Sequence, residues 1–225
     1  MATENGFRLP GITHRTGIFG RTGSGKTRLG TFLLSLSPFD QMPYIVIDYK
    51  LEQLFSQIDR IKEIGLTDKL PKQPGLYIIR PRADDDDTVE AWLRSVYDRE
   101  ETGLYVDEGY GINRFSHAMR DILTQGRSKH LPVIWLSQRP ALIPPFVVSE
   151  ADFLAVFRLK LPQDVQKVME VTGRDETEKS QSLPEYHSMW FDVAQDRGYV
   201  MNPVPGDDDI LERFDKRLAP KRRFG

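Results

Sequence analysis

Gly20-Arg21-Thr22-Gly23-Ser24-Gly25-Lys26-Thr27 has the form G-x-x-x-x-G-K-[ST], a spacing whose chemistry is the gripping of a triphosphate. Glycines let such a loop curl so that backbone N–H groups point inward, and a helix opening at Lys26 adds partial positive charge. In that arrangement Lys26 reaches the β and γ phosphates of ATP and Thr27 ligates Mg²⁺. A second group, Leu104-Tyr105-Val106-Asp107-Glu108, is an apolar run that ends in two acids, the Walker B pattern. If it is a strand, its successive side chains face opposite ways, so Asp107 is expected to hold Mg²⁺ while Glu108 orients and activates the attacking water. A third run, Pro132-Val133-Ile134-Trp135-Leu136-Ser137-Gln138, ends in an amide able to hydrogen-bond the γ-phosphate or that water. Alone, Gln138 also reads as an ordinary polar strand end before a Pro turn.

These residues need a sheet to hold them. Strands are expected at Thr16–Phe19, Tyr44–Asp48, Leu76–Ile79, Gly103–Asp107, Pro132–Ser137 and Ala151–Leu159, separated by helical patterns. That alternation describes an α/β fold, a mostly parallel central sheet flanked by helices. Leu29, Phe32, Leu33 and Leu36 predict a helix from Lys26 that stops at Ser37-Pro38. The acids Asp84–Asp87 lie where a helix N-terminus favours negative charge, and Asp87 with Glu90 has capping-box spacing. Further helices are expected over Ile112 to about Leu123, Gln163–Val171 and Ile210–Leu218, with a C-terminal hairpin of Ser188–Val193 and Gly198–Met201. With two strands between the phosphate loop and Asp107 in sequence, at least one strand should separate theirs in the sheet. This is the order of many RecA-like P-loop NTPases of the ASCE class.

The 225 residues divide into a P-loop ATPase domain, 1–205, and a charged C-terminal helix and tail, 206–225. A formal charge of −2 supplies no global basic field, so DNA contact requires a local patch or several subunits. There are no cysteines, and the four histidines lack ligand-like spacing, so no structural metal is expected. Nothing resembles a signal peptide or membrane span; a soluble protein is expected. Arg114, His117 and Arg120 recur at three-residue spacing, which would place them on one helix face that could approach DNA. The basic residues Lys216-Arg217 and Lys221-Arg222-Arg223 are a second candidate for phosphate or partner contact.

Taken together, the P-loop, the Asp107-Glu108 pair, the Ser137-Gln138-Arg139-Pro140 strand end and Ala151–Leu159 resemble the FtsK-HerA superfamily of DNA-pumping ATPases over roughly residues 14–205. Tyr44–Lys50 also resembles that family's second strand, which ends in Asp with a nearby Lys. The resemblance implies a homo-oligomeric ring, expected to be hexameric, with ATP bound between subunits. It also implies an arginine finger eleven residues before the sensor glutamine; Arg127 meets this, since 138 − 127 = 11. Arg139 and Arg158 compete for that role. The short chain most resembles genome-packaging ATPases of membrane-containing icosahedral double-stranded DNA viruses. That implies double-stranded DNA and capsid-vertex partners in the host cytoplasm or virion. The alternatives are a cellular or plasmid translocase, a small-molecule nucleotide kinase and a nucleotide-binding assembly scaffold.

Overall fold

A computed structural model describes residues 6–82 and 84–219. Among the described residues nine strands form one sheet: β1 (Arg15–Phe19), β2 (Pro43–Asp48), β3 (Lys62–Glu63), β4 (Gly75–Ile79), β5 (Gly103–Asp107), β6 (Val133–Ser137), β7 (Phe153–Val156), β8 (Ser188–Asp192) and β9 (Arg197–Met201). Their order is β3-β4-β2-β5-β6-β1-β7-β8-β9. Pairing is parallel from β3 to β7, while β8 and β9 add the antiparallel C-terminal hairpin to the edge. One strand, β6, separates β1 from β5. It comes after both in the chain, so the expected gap is filled by neither strand that lies between them in sequence.

Strand alternation sorts the core into two layers. Ile45 and Ile47 face one side with Val89, Trp92, Leu93 and Val96 of α3 (Asp86–Arg99), and with α4 (His117–Gln125), whose Ile122 and Leu123 are buried there. Tyr44 and Val46 face the other, with Leu29, Leu33 and Leu34 of α1 (Lys26–Leu36). Short α2 (Gln53–Ser56) and α5 (Phe146–Ser149) fill gaps, and α6 (Pro162–Thr172) is followed directly by α7 (Arg174–Ser182). The final helix α8 (Asp207–Leu218) docks on the α1 side. Its Ile210 and Phe214 are buried, Phe214 lies 5.8 Å from the Phe39 ring, and Arg28 and Asp40 pair with its two ends. Of the C-terminal basic residues, Arg217 is spent on Asp40 and the Ser35 carbonyl, while Lys221-Arg222-Arg223 lie outside the described residues.

Two local expectations are corrected. The helix predicted from Ile112 to Leu123 is instead a 3₁₀ turn at Gly109–Gly111, an irregular stretch, and α4 from His117 to Gln125. Arg114 therefore precedes the helix and shares no helical face with the exposed His117 and Arg120, the latter paired with Asp121. The capping box is also displaced: α3 is capped at Asp85, without a side-chain bond to its own helix, and starts at Asp86. Glu90 turns away to α4, accepting from the Ser116 hydroxyl at 2.5 Å and the Ala118 N–H at 2.8 Å, while Ser116 caps Met119. Packing of α3 on α4 redirected a locally plausible pair. Glu90→Ala should lower unfolding free energy by about 1–2 kcal/mol in urea titrations, because it orphans the start of α4. Asp87→Ala, in an exposed first turn, should cost at most about 0.5 kcal/mol.

Candidate functional site

All parallel strands deliver their C-terminal ends to one edge, and the predicted site residues other than Arg127 follow them there. Gly20–Thr27 joins β1 to α1. Gly23 and Gly25 hold φ of 76° and 96°, backbone conformations that a side chain strains, and this lets the loop curl into the head of α1. The Gly20 N–H donates to the Ser137 carbonyl, tying the loop to the end of β6. Lys26 is 4% exposed, folded back into the site.

Its partner is Glu108. The Lys26 Nζ lies 3.0 Å from Glu108 Oε1, Lys50 Nζ 2.5 Å from the same oxygen, and Gln138 Nε2 donates to it at 2.8 Å. Gln138 in turn accepts from the Thr22 hydroxyl at 2.6 Å, so one amide links phosphate loop to carboxylate. Glu108 is aimed by its backbone, left-handed at φ 50° and ψ 58° just beyond β5, rather than by strand alternation as expected. Burial opposes its ionisation, but Lys50, Lys26 and Gln138 together hold its pKa below the usual range.

Asp107, beside it, has the opposite environment. It is wholly buried, and neither carboxylate oxygen has a hydrogen-bond partner; Glu108 Oε2 is bare as well. Desolvation and then the neighbouring Glu108 charge push the Asp107 pKa up to about 7. Asp48 sits next to it in register on β2, but its oxygens accept from the Lys50 and Glu52 N–H groups and from Arg80. A buried, charge-bearing group with no donor partners has the chemistry of a cation ligand. No cluster of three or more His, Cys, Asp or Glu with metal-site geometry occurs among the described residues. A Mg²⁺ that accompanies a nucleotide needs few protein ligands, because phosphates and water complete its shell.

The arginines are dispersed. Arg139 donates to buried Asp164 at 2.8 Å, and Arg158 donates to the Gln181 carbonyl while its own carbonyl accepts from the Arg21 N–H. Arg127 is 63% exposed and only 4.0 Å from Asp152, a carboxylate already gripped by Arg15. Arg15 begins β1 and Gly20 follows its end, so Arg127 and its own chain's P-loop stand at opposite sheet edges. Five strand residues separate those edges by about 17 Å. The structure therefore brings together Lys26, Asp107, Glu108 and Gln138 with the Gly20–Thr27 loop, and leaves Arg127 apart.

No protein-family model matches the chain. It is, however, 37% identical to the DNA packaging ATPase P9 of Enterobacteria phage PRD1 over 224 residues, spanning 96% of this chain and 97% of that protein. The chain belongs to the P9 family of DNA packaging ATPases. Solved structures agree on the fold of this P9 relative. The genome packaging NTPase B204 of Sulfolobus turreted icosahedral virus 2, in complex with ATP-gammaS, superposes with a TM-score of 0.72 at 22% identity, over 86% of this chain and 99% of that one. The pCW3 conjugation coupling protein TcpA, with ATPgS, gives 0.63 at 14% identity, over 92% of this chain and 65% of that one. Both likenesses agree with the expected α/β fold of a mostly parallel sheet flanked by helices.

Lys50 is the site residue that sequence reasoning undervalued in this P9-family chain. It was legible as a lysine after the second strand, but its carboxylate partner is 58 residues away. Only the pairing of β2 with β5 joins them. Opposite stability effects should follow from the two sides of this charge cluster. In nucleotide-free protein, Asp107→Asn should raise unfolding free energy by on the order of 1–3 kcal/mol by removing an unpaired buried charge. Lys50→Ala should lower it by a similar amount, because Glu108 loses a donor. Chemical denaturation of both variants reads the two signs.

Proposed function

We propose that the chain is an ATP-driven translocase that packages double-stranded viral DNA into a preformed capsid. The carrying observation is end-to-end kinship with P9, in a chain whose phosphate loop faces a buried, incompletely partnered carboxylate pair. The same kinship favours packaging over plasmid or cellular transfer, and over a nucleotide kinase or a non-hydrolysing scaffold.

In this reading Mg²⁺·ATP is the substrate. The backbone of Gly20–Thr27 cradles the phosphates, Lys26 moves from Glu108 to the β and γ oxygens, and Thr27 with Asp107 holds the ion, which supplies charge stabilisation for phosphoryl transfer. The unpartnered oxygens of Asp107 fit that role. Glu108, ionised and steadied by Lys50, orients the attacking water through its bare Oε2. Gln138, bridging Thr22 and Glu108, senses whether the γ-phosphate is present.

Arg127 is the arginine finger of this proposal, acting on the site of a neighbouring subunit in a homo-oligomeric, six-membered ring. Its exposure and its distance from its own loop support action in trans, whereas Arg139 and Arg158 are engaged within the chain. DNA faces the groove lined by Arg82, Arg114 and Phe115, the last 82% exposed, where Asp86 also lies and Arg80 is already paired with Asp48 and Glu63. Such contacts track phosphates without reading bases. Among the described residues no helix is long and apolar enough to cross a membrane, and we place the motor in the host cytoplasm or at the packaging vertex of the virion, against capsid proteins.

Steady-state ATPase assays with and without double-stranded DNA test this. Wild type should be stimulated by DNA; Lys26→Ala and Glu108→Gln should lose about 10²-fold or more in kcat. Arg127→Ala should be inactive alone and partly recover when mixed with Glu108→Gln, whose subunits still offer an intact arginine. DNA-independent hydrolysis would remove the translocase reading, and full activity of Arg127→Ala would remove the finger. Arg114→Ala should weaken DNA binding uniformly across sequences and reduce the salt slope by about 1.

A further inference from the structure

The phosphate-binding motif leaves the rest of a nucleotide unplaced, and the sheet order gives the direction in which it must lie. Asp107, Glu108 and Gln138 end β5 and β6, on one side of β1, so the γ end of a triphosphate points that way. The α-phosphate end then leaves over Thr27 and Arg28, at the head of α1, toward β7 and β8. On that side a solvent-open cleft with a cavity volume of about 80 Å³ is bounded by Gly25, Arg28, Leu29, Phe157, Tyr186 and Asn202. It is continuous with the groove along Lys26 and Thr27, since Gly25, Arg28 and Tyr186 line both.

Tyr186 stands where the two clefts meet. A Cβ on Gly25 would come within 3.3 Å of its Cδ1, so the ring edge lies against the phosphate loop itself. Its backbone is left-handed at φ 62°, a costly conformation for an aromatic residue. The turn that imposes it is anchored by the His187 N–H on the Pro184 carbonyl and by Arg21 with Glu185 at 3.6 Å. Tyr186 as a residue remains 51% exposed, while Phe157 and Leu29 beneath the cleft are 3% and 2% exposed. A half-exposed aromatic residue beside an apolar floor, set against the loop that grips phosphate and on the side where the α-phosphate leaves, is suited to a flat heteroaromatic ring.

We propose that Tyr186 is the stacking platform for the nucleotide's purine base, with Phe157 and Leu29 as floor and the Asn202 amide addressing the base edge. The inference rests on the nucleotide-binding part of the function proposed above, not on DNA or capsid. The test is calorimetric titration of the full chain with ATP and, separately, with inorganic tripolyphosphate, which has the phosphates and no base. Tyr186→Ala should bind ATP about tenfold more weakly, the size expected from aromatic stacking, and bind tripolyphosphate as wild type does. Tyr186→Phe should keep wild-type affinity for both. Unchanged ATP affinity in Tyr186→Ala overturns the proposal. So does an equal loss for ATP and tripolyphosphate, which would make Tyr186 a prop for the loop. Wild type that binds tripolyphosphate no more weakly than ATP removes the base site but keeps the phosphate grip; wild type that binds neither removes the nucleotide reading as well.

Discussion

One carboxylate oxygen organises this molecule's functional edge. Glu108 Oε1 receives Lys26 from the loop after β1, Lys50 from the loop after β2 and Gln138 from the end of β6. A buried carboxylate needs such donors to stay ionised, and no single segment supplies them. Four strands must therefore run parallel, in register, and stop together. The parallel order β2-β5-β6-β1 meets that requirement. The two core layers on either face serve to hold those four ends in place.

The same edge is deliberately incomplete in charge. Glu108 Oε1 is saturated while Oε2 and both oxygens of Asp107 are bare. Asp48, alongside in register, shows the contrast: its oxygens are spent on backbone N–H groups and Arg80, so it shapes the Lys50 turn. Two buried acids in neighbouring strands thus differ by partner supply alone: Asp48 is satisfied within the chain, and Asp107 is left bare. Sites that keep polar groups unsatisfied sacrifice stability for chemistry.

Opposite edges of the sheet carry different tasks. The C-terminal edge gathers the phosphate loop and acids; the N-terminal edge is closed by Arg15 on Asp152 and on the Leu123 carbonyl. Arg127, next to that closure, has little left to bind within its own chain. A residue so placed suits contact with another subunit. The strained turn at Tyr186 belongs to the active edge instead, extending it past β7 toward the antiparallel hairpin.

Much of this was determined by sequence alone, wherever chemistry and structure are close in the chain. The Gly20–Thr27 loop, strand β5 with its acids, the amphipathic stripe of α3 and the C-terminal hairpin are each set by neighbours a few residues apart, through local sterics and periodicity. The readings that failed were those in which a distant element outbid a local one. Glu90 had a plausible cap in its own helix and used α4 instead, and the stretch after Gly111 gave up helix until Ser116 found that carboxylate. Lys50 on Glu108, Thr22 on Gln138 and Tyr186 against Gly25 were decided only by tertiary structure. Each joins segments that local propensity treats independently, and only strand order and packing bring them within hydrogen-bond or van der Waals reach.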